Sequence, residues 1–197
     1  MKDIICHTGG ASGADMLFED LCTESGIKVI SYSFENHFTN STHRKILTQE
    51  ELEDVNPQVL EVSKLIKRHA PFKRPEFIHF IQRDIYQALY SDIIFAIGAL
   101  DWELGIPHGG TAWAVGMGIC LKLPILFFDQ EKNDWFQYSE KRGWDHIEDK
   151  YIIQYYFNLN PSTNFTGIGT RALNSFGEKA IRDVVSWFKN LKDSEKT

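Results

Sequence analysis

At 197 residues, 43% hydrophobic and 24% charged, the chain has the length and composition of one globular domain with a full core. Its formal charge of −6 argues against nonspecific nucleic-acid binding, which needs a broad basic footprint, and no stretch approaches the ~20 apolar residues of a membrane helix. The odd number of cysteines (Cys6, Cys22 and Cys120), widely spaced in apolar contexts, predicts reduced thiols in a cytoplasmic protein rather than a disulfide frame.

Met1-Lys2-Asp3 leads straight into an apolar strand, Asp3 to Thr8, which predicts no signal peptide. Ala14, Leu17, Phe18, Leu21 and Cys22 then recur at helix spacing, with Gly26 as C-cap. Lys28 to Phe34 alternates and predicts a second strand. Glu35 to Asn56 is polar and reads as a long loop over the ligand edge, with a helical turn at Thr48 to Glu53. Helices follow over Pro57 to Arg68 and Glu76 to Tyr90, separated by Pro71 and Pro75. Asp92 to Gly98 is a near-continuous apolar run, as in a buried parallel strand. Thr111 to Leu121 is a helix rich in small residues (Ala112, Ala114, Gly116 and Gly118), and Pro124 to Asp129 a further buried strand. Lys132 to Tyr156 is aromatic and charged, and its pattern assigns no element. Asn164 to Gly167 reads as the last strand and Phe176 to Leu191 as a closing amphipathic helix. No repeat or linker divides the chain. The expectation is a single α/β Rossmann-like domain over residues 1–192, its sheet mostly parallel and flanked by helices, with a charged tail over 193–197.

Three glycine-rich segments sit where a strand hands over to a helix: Gly9-Gly10-Ala11-Ser12-Gly13-Ala14-Asp15, His108-Gly109-Gly110-Thr111 and Gly167-Ile168-Gly169-Thr170-Arg171. In a parallel α/β sheet all such turns fall on one edge, so they can converge on one ligand. Glycine lets backbone approach closely, and helix N-termini favour anions. The first segment reads as a phosphate or ribose cradle, with Asp15 accepting from a sugar hydroxyl or stabilising the helix dipole. Neither a Walker loop nor a regular dinucleotide spacing is present. Thr111 reads as a helix cap or a phosphate contact. Arg171 beside glycine backbone suits a phosphate fork, or else is a surface turn residue. Arg83 lies on a helix near the edge and reads as ion-paired or ligand-facing. Asp101, Trp102, Glu103 and His108 precede the second turn as further contacts. Tyr32, Phe34, Trp102, Trp113 and Trp135 are aromatics that could stack on a base, with core packing as the default reading for each. The seven histidines show no metal-site spacing. There is no nucleophile elbow, and no metal or cofactor is expected. Together the turns predict a binder of a nucleotide-derived, phosphate-bearing small molecule.

These segments, with Gln82-Arg83-Asp84 and Gln87, Ala96-Ile97-Gly98, Thr111-Ala112-Trp113-Ala114-Val115 and Phe128-Asp129-Gln130, resemble the SLOG superfamily, which shares a Rossmann-like fold with LOG-type and DprA-type proteins. The nearer likeness is to its YpsA-related branch and to uncharacterised phage and bacterial members. The resemblance implies a nucleotide-derived ligand at the glycine-rich edge, bound by Gly9, Gly10, Ser12, Gly13, Asp15, Arg83, Gly109, Gly110, Thr111, Gly169, Thr170 and Arg171. LOG enzymes, which cleave nucleoside monophosphates, carry Pro-Gly-Gly-x-Gly-Thr-x-x-Glu. Here His108 replaces the Pro and Ala114 the Glu, while the family's helical Arg is matched by Arg83. Glycosidic hydrolysis needs a carboxylate at the sugar, for which Asp15, Asp101 or Glu103 would have to stand in. The expectation is therefore a sensor or sequestering protein for an ADP-ribose-like or nucleoside-phosphate ligand. A phosphoribohydrolase is the alternative. A cofactor carrier or interaction module is the third reading, since the superfamily also includes molybdenum-cofactor carriers. The small-residue helix, taken as exposed, and the family likeness predict a homodimer or higher oligomer.

Overall fold

A computed structural model describes residues 4–148, 152 and 164–194. The chain runs β1 (Ile5–Thr8), α1 (Ala14–Glu24), β2 (Lys28–Phe34), β3 (Arg44–Leu47), α2 (Gln49–Asp54), α3 (Asn56–Leu65), α4 (Pro75–Leu89) and β4 (Ile93–Gly98). It continues with β5 (Leu100–Asp101), β6 (Ile106–Pro107), α5 (Thr111–Cys120), β7 (Ile125–Asp129), β8 (Asp134–Ser139), β9 (Gly143–Ile147), β10 (Phe165–Gly169) and α6 (Ser175–Ser194). One sheet is ordered β3-β2-β1-β10-β4-β7-β8-β9; β5 and β6 form a separate small hairpin. Pairings from β3 across to β7 are parallel, and β8 and β9 add antiparallel strands at the far edge. This is the α/β Rossmann-like architecture that the sequence predicts.

The central strands explain the two helical layers. In β4, Ile94 and Ala96 pack with α3, α4 and α5 on one face, and Ile93, Phe95 and Ile97 pack with α1 and α6 on the other. Adjacent β7 does the same, with Ile125 and Phe127 opposite in sense to Leu126 and Phe128. Such strands read as continuous apolar runs because neither face meets water. The most consequential placement is that of β10. It inserts between β1 and β4, parallel to both, pairing Cys6 with Phe165 and Ile97 with Gly169. The last glycine turn of the chain thus emerges between the first and the second.

Several expectations are corrected. The segment read as a long loop holds β3, whose Arg44, Lys45 and Ile46 are exposed and only Leu47 buried, so it carries no apolar signal. The helical turn expected there at Thr48 to Glu53 is present as α2, which Thr48 opens through a reciprocal capping box with Glu51. The unassigned segment after Lys132 holds β8 and, at the sheet edge, β9, partly buried strands with mixed composition; its remainder up to 156, Ile152 apart, largely lies outside the described residues. Strand β10 runs on to Gly169, so Gly167 is within the sheet. Helix α6 continues to Ser194, past the expected start of the charged tail. The small-residue helix α5 is not exposed. Ala112 and Ala114 are fully buried, and Gly116 and Gly118 lie against Val62 and Ile66 of the α3 region and against Ile94 and Ile125 of the sheet. Its small residues admit neighbouring elements of the same chain.

Candidate functional site

The C-terminal ends of β1, β10, β4 and β7 lie side by side and bring the glycine turns together. Between them is a cavity of about 510 Å³ lined by Asp15, Arg83, Asp84, Gly109, Gly110, Thr111, Gly169, Thr170 and Arg171, among others. His108 and Gln130 also line it. Gln130 laces the rim: its N–H donates to Gly98 O (2.8 Å) and its side chain accepts from the Asn174 N–H (2.8 Å).

The first turn turns inward. Asp15 is buried, its Oδ2 accepting from the Gly9 N–H (3.1 Å) and its Oδ1 from the Gly169 N–H (3.0 Å). Burial raises its pKa, against the opposing pull of Arg83 and the N–H groups of Gly169, Gly9 and Ala11. The first N–H of α1, from Ala14, donates to Thr170 O at 3.0 Å. Donors that sequence reading assigns to a phosphate are therefore spent on the protein's own carboxylate and backbone. Gly9 and Gly13 serve the same packing: a Cβ on Gly9 would land on the Arg83 guanidinium, and one on Gly13 would meet the Thr170 carbonyl. Gly10 and Ser12 line a neighbouring cavity instead.

Arg83 enters from α4 and is 4% exposed. Its Nη1 lies 2.9 Å from Asp84 Oδ1 and 3.6 Å from Asp15 Oδ2. Neither contact has hydrogen-bond geometry, and Arg83 Nε has no hydrogen-bond partner either. Asp84 also accepts from Gln87 Nε2 at 3.2 Å. Burial pushes the Asp84 carboxyl up to about 7, with Arg83 opposing and Asp15 adding to the rise. A carboxyl poised near neutrality is suited to exchange protons.

The second turn faces outward. Gly110 is the N-cap of α5 and no side chain caps that end, so Thr111 does not act as a cap. Gly109 has φ +67° and nothing stands within 4 Å of where its Cβ would be. Arg68, just beyond α3, holds the turn from behind, donating to Gly109 O (2.6 Å) and Pro107 O (2.9 Å). Arg171 is exposed on the cavity rim and has no ion-pair partner within 4.0 Å among the described residues. Glu103 is exposed on the β5–β6 hairpin and lines neither cavity at this edge. Asp101 is used locally, accepting from the N–H groups of Glu103 and Leu104. Trp102 donates from Nε1 to buried Asp129 at 2.9 Å. Asp84, Phe80 and Arg68 were not singled out as site residues. Only the Gln82-Arg83-Asp84 likeness touched Asp84, since helical periodicity marks polar residues as solvent-facing.

The fold is similar to that of a provisionally named molybdenum carrier protein from Syntrophus aciditrophicus SB, with TM-score 0.50 and 14% identity, over 94% of this chain and 94% of that one. At that identity the likeness shows a shared fold alone. No protein-family model matches the chain, and no curated protein matches it. Among the described residues no helix is long and apolar enough to cross a membrane.

The Asp15 arrangement is testable by removal. Asp15→Ala leaves buried N–H groups without an acceptor and Arg83 without one of its carboxylates. Losses of about 3–5 kcal/mol are expected for breaking such a buried pair, read by urea unfolding. A loss below ~1 kcal/mol would show that the clamp is dispensable.

Asp84 gives a pH signature. Its pKa is raised from 3.8 to about 7 on folding, so the folded chain binds the extra proton in between. Its contribution to stability is complete below the lower value and is lost as pH rises to the upper one. His7 and His37, each pushed from 6.5 down to about 4 chiefly by burial, act oppositely and lose stability as pH falls. Asp84→Asn isolates the first effect. The variant should gain on the parent by on the order of a few kcal/mol between pH ~4 and ~7, then level off. Denaturation curves across that range measure the gap; a constant gap would contradict the assignment.

Proposed function

We propose that this protein binds a nucleotide-derived, phosphate-bearing small molecule of the nucleoside-phosphate or ADP-ribose kind at the glycine-rich sheet edge. It holds that molecule as a sensor or sequestering protein and does not turn it over. The observation that carries this reading is the pairing of Arg171 with the uncapped N-terminus of α5 on one cavity, over the open backbone of Gly109 and Gly110. Helix N-terminal N–H groups and a guanidinium are complementary to phosphate oxygens. Arg83 supports them from below with donors that the protein leaves unused. Membership in the SLOG superfamily is part of the same proposal, supported by the fold and by the chain order of the three turns.

Retention without turnover is supported by Ala114, fully buried where LOG enzymes carry Glu, and by the remoteness of Glu103. A hydrolase reading is favoured by one observation, the Asp84 carboxyl beside Gly110. A carrier reading draws on the neighbour's name, which belongs to that protein. Assembly into a homodimer or larger oligomer remains part of the proposal on family likeness alone.

Arg171→Ala should weaken binding of AMP or ADP-ribose by roughly 1.5–3 kcal/mol while leaving unfolding stability unchanged, because the side chain is exposed. Calorimetry reads the affinity, and unchanged affinity would return Arg171 to a surface turn residue.

Turnover is decided separately. AMP incubated at length with excess protein should be recovered intact by chromatography. Release of free base, abolished in Asp84→Asn, would establish the hydrolase reading instead.

A further inference from the structure

A second cavity of about 700 Å³ lies between the loop after β2 and the start of α4. It shares Ala11, Phe80 and Arg171 with the first, so the two meet at that guanidinium. Its walls differ in kind. Phe34 and His37 stack at 4.8 Å and 14°, and Phe80 stands edge-on to both at 5.1 Å. The His37 ring is held by Ser33 Oγ at 2.9 Å, and burial pushes its pKa down to about 4, so it is neutral at physiological pH.

The loop is tied down on either side of Phe38. Thr39 donates its hydroxyl to Gly10 O, Ser41 donates to Glu19 Oε1 (2.7 Å), and Arg44 Nη2 donates to His37 O (3.3 Å). Phe38 nevertheless lines the cavity while 93% exposed. An anchored loop that presents a phenyl ring to water above an aromatic wall leaves a stacking surface uncovered. The linings differ in their cations: the first cavity has Arg83 as well as Arg171, beside Asp15, Asp84 and Glu131. In the second, Arg171 at the junction is the one Arg or Lys of the lining, and Glu35 and Glu76 supply carboxylates. That lining opposes a phosphate within the cavity and favours a neutral ring that donates N–H.

We infer that this second cavity is a nucleobase subsite, in which an amino-bearing base stacks on Phe38 and its phosphate turns back toward Arg171. The inference rests on the proposed function and adds which part of the ligand lies where. Neutral aromatic surface suits the flat ring; the carboxylates and the amides of Asn36 and Asn40 offer acceptors for an exocyclic amine.

Calorimetry of the full chain with ribose 5-phosphate, AMP and IMP tests it, using wild type and Phe38→Ala. The exposed position makes the variant safe for folding. AMP should bind the wild type roughly tenfold or more tightly than ribose 5-phosphate, and Phe38→Ala should bring the two within about threefold, since stacking of one base is worth that much. Ribose 5-phosphate should bind both proteins alike, and IMP should bind the wild type less tightly than AMP. Equal wild-type affinities for ribose 5-phosphate and AMP, or a variant that weakens both alike, would overturn the subsite while leaving the phosphate site standing. Equal affinities for AMP and IMP would overturn the preference for an amino group. Failure of all three phosphates to bind would overturn the proposed function, and this inference with it.

Discussion

The buried carboxylate of Asp15 is the constraint on which the sheet edge depends. It sits at the first turn of α1, in the layer below the sheet, and accepts N–H groups from the ends of β1 and β10. Arg83 reaches it from α4, in the layer above. The contact therefore ties two strands and both helical layers at one point. Such a pair is costly to desolvate, and it persists because backbone donors and a guanidinium meet the charge together. Insertion of β10 between β1 and β4 makes the arrangement possible. Without it the third glycine turn would lie at a sheet edge, away from the other two.

The same constraint separates glycines that look alike in sequence. Gly9 and Gly13 are small because protein atoms occupy the space a side chain would need. Gly109 turns the chain through φ +67° into open space. The first pair serves the clamp, and the last leaves backbone facing a cavity. Strand–glycine–helix spacing identifies the edge but cannot separate these two uses, because close approach by protein and by ligand removes the Cβ for the same steric reason.

Legibility followed burial. β4, β7 and the main helices α1, α3, α4 and α6 were readable because each buries an apolar face or two. β3, β8 and β9 were not: β3 and β9 are the two edge strands and β8 pairs with β9, and strands in partial contact with water lose the alternation that marks a strand. Convergence of the glycine turns was readable from topology. Two features of the site were not. Asp84 is polar on a helix that buries its polar residues toward the edge, against the rule that periodicity assumes. Phe38 is an aromatic in a polar loop, where composition gives no sign that the loop folds over a cavity. The exposure assigned to α5 failed for a related reason: small residues signal close approach, and the approaching partner was the chain's own α3 and sheet.

On the proposed reading, an acidic chain that holds an anion faces a particular electrostatic problem. With a net charge of −6, its long-range field does not draw a phosphate in, so attraction must come from short-range donors in the cavity. On the proposed reading the edge meets that need in a graded way. Arg171 stands at the rim in solvent, the N-terminus of α5 forms one wall, and Arg83 lies beneath with donors unused. Asp15 and Asp84 both stand against the Arg83 guanidinium. Asp84 offsets that cation only when ionised, and burial pushes its pKa up to about 7. The balance of charge at the phosphate end is thus set by one carboxyl near its midpoint, whereas the aromatic cavity beyond Arg171 contains a histidine kept neutral by burial. Proton uptake at Asp84 would strengthen the phosphate end and leave the base end unchanged.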